Sequence, residues 1–413
     1  MKNRLLMMSM FILTCSSAFA QKNELKNLEK FINKNNTAEA SVLLTTIEQM
    51  LPQATDEQKA AYYFFKAKNL INLANNGIDL NENRTKAIET INQLIKFEND
   101  TKTKKYATEV SELKNNLLAT LVNEAISYNQ DKKYINSSRL FEQAYKLNPS
   151  DTIYLYNAAN DAINAKDFDF AENKLKDLIS LNFNGKSETY TATSETSGKV
   201  ESFGIDKKAR DLAVRNGTHT SAKTITSESV KPLIYNNLTN ILLNKENYSE
   251  AENYALKAYE LDKSNINSLL NVLLLYYNTN RYYKFAHYSK KGLEQFPENE
   301  LLLYNLALIK IKNDQNDQAI EYLNTILKIN NNHFDALKSL GNIELQKDAE
   351  ITNKINALPN KNSSVKTRNS LLQEKKLIYN NALSHYLKAQ SINDKDESLN
   401  ELILQLQDFL TKN

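Results

Sequence analysis

The residue types best able to do chemistry are few in this chain and widely scattered. Four histidines, His219, His287, His333 and His385, stand far apart, and none has a second ligand-type residue at a metal-motif spacing, so no metal site is expected. The single cysteine, Cys15, has no partner for a disulfide or a thiolate site. No glycine-rich phosphate loop, nucleophile elbow or Cys/His pair occurs. Two carboxylates from distant segments would have to meet to work as acid and base, and nothing selects one pair among dozens. Neither catalysis nor a cofactor is expected. One arrangement does stand out, because Asn123, Asn157, Asn237, Asn271 and Asn305 recur at equivalent positions before Ser339 ends the series. Asparagine makes up 57 of 413 residues, so five in succession exceed what composition alone supplies. A primary amide both donates and accepts hydrogen bonds, which is what gripping a peptide backbone requires. Asn160, Asn240 and Asn342, three positions further on, extend the row. The competing reading is that this asparagine supports the geometry of its own helical hairpin.

The elements that position these amides follow from Leu118 to Asp151, LATLVNEAISYNQDKKYINSSRLFEQAYKLNPSD. Helical spacing places Leu121, Ala125 and Tyr128 on one face and Ser137, Phe141 and Ala144 on a second, with a turn at Asp131 to Lys133 and Pro149 closing the unit. Small residues at Ala125, Ser137 and Ala144 let two antiparallel helices approach closely. A hairpin of this size has no complete core and must stack on copies of itself. Registers beginning at Leu118, Thr152, Pro232, Ile266, Glu300 and Phe334 supply the copies, 34 residues apart except for one insertion of 46. The small site of the first helix reads Ala125, Ala159, Thr239, Leu273, Ala307 and Gly341. The second helix opens with Ser137, Ala171, Ala251, Phe285, Ala319 and Ala382, and seven residues on reads Ala144, Leu178, Ala258, Gly292, Ile326 and Ala389.

This period and order of small and large residues resemble the tetratricopeptide repeat (TPR) family. The resemblance implies an all-α solenoid of stacked helical hairpins with two insertions. The family's tryptophan is replaced by Leu121, Leu155, Tyr235, Leu269, Leu303 and Leu337, and Phe285 is large for its slot in the fourth repeat. In the family the position of the asparagine row faces a concave groove, so Asn123, Asn157, Asn237, Asn271 and Asn305 are the expected peptide-binding residues. Lys338 with Asn342 resembles half of a carboxylate clamp whose other half is absent, and no clamp is expected.

The N-terminus carries its own pattern. Lys2 and Arg4 precede the apolar run Leu5 to Leu13, and Ala18-Phe19-Ala20 supplies a cleavage site, so residues 1–20 read as a secretory signal peptide. A second reading places a lipid on Cys15. No other apolar run approaches the roughly 20 residues of a transmembrane helix. Without residues 1–20 the chain holds 50 basic and 49 acidic residues and no cysteine. Near-neutrality argues against a nucleic-acid footprint, which needs a basic excess.

Residues 21–117 read as degenerate helical repeats, with Ala60 to Leu73 and Ala87 to Ile95 forming a hairpin whose turn is enlarged by Ala74 to Thr85. Residues 118–394 form one continuous array with insertions at 186–231 and about 346–376, and residues 395–413 cap it with an amphipathic helix. In the first insertion, Thr189 to Ser194 and Lys199 to Phe203 suit a β-hairpin about a turn at Glu195 to Gly198, followed by a short helix from Ile205. The second insertion reads as a lengthened turn with Pro359 at its tip. The function expected is an exported scaffold, in the periplasm or secreted, that binds another protein or an extended peptide in the bacterial envelope. An outer-membrane lipoprotein is the alternative location. A glycan-binding repeat protein beside an outer-membrane transporter is the alternative function, although zero Trp leaves it without the usual sugar platforms.

Overall fold

The computed structural model describes residues 22–359, 361 and 364–412. The expected signal peptide, Cys15 and the Ala20–Gln21 junction lie outside the described residues. The all-α expectation holds, with one small sheet. Where the sequence suggests one continuous array, the chain divides into two compact units, one ending at Val230 and one beginning at Lys231. The division falls at the end of the first insertion, whose sheet interrupts the succession of helical hairpins.

The first unit contains α1 (22–33), α2 (Thr37–Met50), α3 (Asp56–Asn75), α4 (Leu80–Thr101), α5 (Ala107–Gln130), α6 (Tyr134–Leu147), α7 (Ile153–Asn164) and α8 (Phe168–Ser180). Only residues 76–79 separate α3 from α4, so the polar stretch from Ala74 to Thr85 is mostly helix and not an enlarged turn. Its polar side chains are engaged in packing: Asn83 donates to the Ile78 carbonyl, and buried Arg84 makes a two-pronged ion pair with Glu124 at 2.6 and 2.8 Å. In α5 and α6 the hairpin spacing becomes contact. Ala125, Ser137 and Ala144 are fully buried, and Ser137 Oγ lies 2.8 Å from the Ala125 carbonyl, which only closely packed helices allow.

The insertion folds as β1 (Glu188–Ser194), β2 (Val200–Ser202), α9 (Lys207–Arg215) and β3 (His219–Thr226), an antiparallel sheet of order β2-β1-β3. The expected hairpin is present in it. The third strand was not expected, because β3 is exposed along nearly its whole length and carries no apolar alternation. Arg210 of α9 lies over the Tyr190 ring and donates to the Lys223 carbonyl, tying the helix to the sheet.

The second unit contains α10 (Lys231–Asn244), α11 (Tyr248–Leu261), α12 (Ile266–Asn278), α13 (Tyr282–Gln295), α14 (Glu300–Lys312), α15 (Asn316–Ile329), α16 (Phe334–Gln346), α17 (Asp348–Ala357), α18 (Val365–Ile392) and α19 (Glu397–Lys412). Thr239 with Ala251 and Ala307 with Ala319 are fully buried. The α12–α13 pair packs less intimately than these, since Leu273 and Phe285 stand at its small sites. The second insertion is helical where a lengthened turn was expected. Asp348 receives Lys375 at 2.9 Å and the Tyr379 hydroxyl at 3.2 Å, pinning α17 to α18. Leu399, Ile403 and Leu406 of α19 close an apolar cluster with Leu337, Ala382 and Tyr386.

A backbone feature repeats with the sequence. The turn residues Lys132, Lys166, Glu246, Asn280 and Asp314 each stand fifteenth in their repeats, and each takes a left-handed conformation with φ between 55 and 60°. In the sixth repeat that place belongs to Asp348, which begins α17 instead, so the insertion grows out of the hairpin turn.

Ala171 is fully buried at the α7–α8 approach, so Ala171→Asp should lower stability by roughly 2–5 kcal/mol through an unpaired buried charge. The exposed neighbour change Asn173→Asp should cost little. Thermal melts of the two variants check the register, and equal melting temperatures would contradict it.

Candidate ligand-binding face

Each first helix carries a stripe at repeat positions two, six, nine and thirteen, spaced for one helical face and solvent-facing except at the buried Asn271 and Ser339. In α10 it is Leu233, Asn237, Asn240 and Asn244; in α12, Asn267, Asn271, Leu274 and Asn278; in α14, Leu301, Asn305, Leu308 and Lys312. In the first unit α5 presents Ala119, Asn123, Ile126 and Gln130, and α7 presents Ile153, Asn157, Asn160 and Asn164. The α16 stripe is Asp335, Ser339, Asn342 and Gln346. Only Lys312 and Asp335 bring charge to these positions, in a chain that is 24% charged. The exposed aliphatics Leu233, Leu274, Leu301 and Leu308 went unremarked in the sequence. Their signal was there, since each lies off the apolar stripe that the hairpin core already fills.

The asparagines at position six do not share one environment. Asn123 is exposed, Asn157, Asn237 and Asn305 are half-buried, and Asn271 is buried at 8% exposure. Asn271 Nδ2 donates to Asn236 Oδ1 at 3.3 Å, and Asn236 Nδ2 donates to Ser268 Oγ at 2.7 Å, so this amide belongs to a ladder joining α10 to α12. Ser339 is engaged in the same way with the Tyr304 hydroxyl at 3.2 Å. Among the described residues, the side chains of Asn123, Asn157, Asn237 and Asn305 make no hydrogen bond. Both members of the half-clamp are also occupied: Lys338 is ion-paired with Asp396, and Asn342 Oδ1 accepts from the Tyr386 hydroxyl at 2.8 Å. The Lys338 ammonium, with Ser398 and the Leu399 N–H, holds the Asp396 carboxyl down to about 2.

The histidines have separate local roles. His219 meets Glu201 at 3.0 Å within the sheet insertion, and His333 Nδ1 caps α16 by accepting from the Ala336 N–H. Among the described residues no group of three His, Cys, Asp or Glu side chains converges as metal ligands would.

In the first unit the stripe borders a cleft of about 200 Å³ lined by Ile126, Asn129, Phe141, Asn157, Asn160 and Asp161. Asp161, at 4% exposure, forms its floor. Its Oδ1 accepts from Asn129 Nδ2 and its Oδ2 from Ser137 Oγ, both at 2.6 Å. Burial pushes its carboxyl above the ordinary 3.8, against the smaller lowering effects of Ser137 and Asn129.

Family models describing the tetratricopeptide repeat match residues 233–265 and 286–341, which cover α10 with α11 and most of α13 through α16. The chain carries tetratricopeptide repeats. Its TPR hairpins place the asparagine row at the centre of the first-helix stripe. Over 114 residues the chain is 30% identical to an uncharacterised protein of Rickettsia prowazekii (strain Madrid E), covering 26% of this chain and 34% of that one. It thus spans about a third of that relative's length. Among solved structures, YrrB, a TPR protein with an unusual peptide-binding site, is 14% identical over 53% of this chain and 89% of its own, at a TM-score of 0.36. PilF of Pseudomonas aeruginosa is 12% identical over 73% of this chain and 99% of its own, also at 0.36. No helix among the described residues is long and apolar enough to cross a membrane.

Two expectations follow from these environments. Asn271→Ala strands the buried Asn236 acceptor and should cost about 1–3 kcal/mol of stability, whereas Asn305→Ala should leave stability nearly unchanged. Denaturant melts separate the two, and equal losses would mean that position six is structural in every repeat. For Asp161, a carboxyl raised in the folded chain ionises more readily when unfolded. Its contribution to stability is therefore full below the unfolded value and is lost as pH rises through the folded value. The melting temperature of Asp161→Asn, relative to the native chain, should accordingly increase from acid to neutral pH. A flat or falling difference would contradict this.

Proposed function

We propose that this TPR protein is a non-catalytic scaffold that binds an extended segment of another protein along its first-helix stripes. The observation carrying the proposal is the composition of those stripes. Five helices, α5, α7, α10, α12 and α14, present amides and aliphatics to solvent at equivalent positions with almost no charge, in a chain that is 24% charged. Amides left without internal partners suit the donors and acceptors of a peptide backbone, and exposed leucines beside them suit its apolar side chains. Taking each unit by itself, Asn123 and Asn157 in the first and Asn237 and Asn305 in the second are the backbone-gripping residues of this reading, with Leu274, Leu301 and Leu308 as apolar contacts in the second. Asn271 shapes the wall through its ladder with Asn236 and contributes a direct contact only at its exposed margin.

The site of action in this reading is the bacterial envelope, reached through the signal peptide at residues 1–20. What supports it is the order of Lys2 and Arg4, the apolar run Leu5 to Leu13, and Ala18-Phe19-Ala20. A lipid on Cys15 would make the protein an outer-membrane lipoprotein. Intact mass of the exported protein distinguishes a chain beginning at Gln21 from one retaining a lipidated Cys15.

The test of the binding surface uses the exported chain as bait in envelope extract and measures the affinity of the captured partner. Leu301→Glu combined with Leu308→Glu should weaken that affinity by at least about tenfold, since two charges enter an uncharged contact surface. Leu404→Glu, more exposed still on α19, should leave it unchanged. Affinity should depend only weakly on salt, because the stripe contacts are uncharged apart from Lys312 and Asp335 and a buried charge is little screened. A partner that binds the leucine double variant normally would refute the proposed surface.

A further inference from the structure

The cleft beneath Asn157 contains a charge that the fold does not need. Asp161 stands tenth in its repeat, where the others have Ser127, Ile241, Leu275, Ile309 and Ile343, mostly buried aliphatics. Its donor Ser137 stands where the other repeats have Ala171, Ala251, Phe285, Ala319 and Ala382. An aliphatic and an alanine therefore suffice for the hairpin, and here a carboxylate and a hydroxyl replace them. Asp161 forms no ion pair among the described residues, and its two short hydrogen bonds come from neutral groups. A buried carboxylate without a counter-charge is costly, and a cation supplied from outside would relieve that cost.

We propose that this cleft binds the ammonium group of a lysine side chain carried by the partner, an inference that rests on the stripe being the binding surface. The cleft, about 200 Å³, is sized for one side chain. Ile126, 44% exposed, and Phe141 form apolar walls for a four-carbon stem. At the floor, Asp161 keeps one lone pair on each oxygen beyond those taken by Asn129 and Ser137. Asn157 and Asn160 line the same space, and with their amide oxygens turned inward three acceptors would meet the three N–H donors of an ammonium. A guanidinium fork fits less well, because it needs both carboxylate oxygens free along one edge, and here each already accepts a neutral donor. A divalent metal would require more oxygens than one carboxylate and two amides provide.

The test titrates the full chain with Nα-acetyl-lysine N-methylamide, and with its norleucine and arginine counterparts, by NMR. The lysine probe should bind at least about tenfold more tightly than the norleucine probe and more tightly than the arginine probe. Asp161→Asn should abolish that preference while keeping a cooperative melt, and Asn157→Leu should reduce it. Asp177→Asn, on the exposed face of α8, should leave it intact. Equal binding of lysine and norleucine, no saturable binding of the lysine probe, or a preference that survives in Asp161→Asn would each overturn the inference. Loss of the lysine preference with the leucine double variant still blocking partner capture would overturn this inference alone. A persisting preference with capture unaffected by the leucines would instead remove the stripe reading and leave the cleft as a lysine site in its own right.

Discussion

Everything in this protein depends on how closely two antiparallel helices can approach, and that is set in most hairpins by side chains no larger than that of threonine at two or three positions. Ala125 against Ser137, Ala159 against Ala171, Thr239 against Ala251 and Ala307 against Ala319 are fully buried because nothing larger fits there. At Gly341 the approach is closer still, since a Cβ would run into the Tyr386 ring, whose hydroxyl then reaches Asn342. Where the rule is relaxed, at Leu273 and Phe285, the helices stand further apart, and Gly292 admits the Leu269 and Leu302 side chains in compensation. Close packing of this kind leaves little room for adjustment, so a charge or a bulky group at a contact position is felt through the whole hairpin.

The hairpins of α5 to α8 and α10 to α16 were legible because their small residues recur every 34 positions, a pattern that short-range packing writes directly into sequence. Polar segments were misread wherever their partners lie far away in the chain. Arg84 looks like a loop residue until Glu124, forty residues on, comes into contact with it. The α17 helix was hidden for the same reason, its anchors Lys375 and Tyr379 standing more than twenty residues downstream of Asp348. Strand β3 was missed because a strand exposed on both faces is under no pressure to alternate.

For the proposed binding surface, periodicity located one helical face, and tertiary structure then divided its residues. Five asparagines read as one row, yet the Asn236 amide on α10 draws Asn271 of α12 into a structural ladder while Asn237 and Asn305 stay unpaired. Their equivalence in sequence reflects the shared repeat, and their difference reflects neighbours that vary from repeat to repeat. The leucines beside them stand out only once the core has been accounted for by other residues. Lys338 shows the opposite case, a residue suggestive in sequence that Asp396 takes out of service in the folded chain. Asp161 carries a signal of a third kind, a departure from the repeat that is visible once the register is fixed.

The account's central claim is that partners contact the first helices and leave the second helices free. Because the chain has one cysteine, Cys15, a Cys15→Ser background allows a thiol-linked photo-crosslinker to be placed at a single site. Asn305 on α14 and the exposed Asn324 on α15 are the same residue type on the two helices of one hairpin. Crosslinkers at Asn305→Cys and Asn324→Cys, irradiated in envelope extract, compare the two faces directly. The account predicts a discrete crosslinked partner from Asn305→Cys and none from Asn324→Cys. Capture of the same partner from Asn324→Cys alone would contradict it.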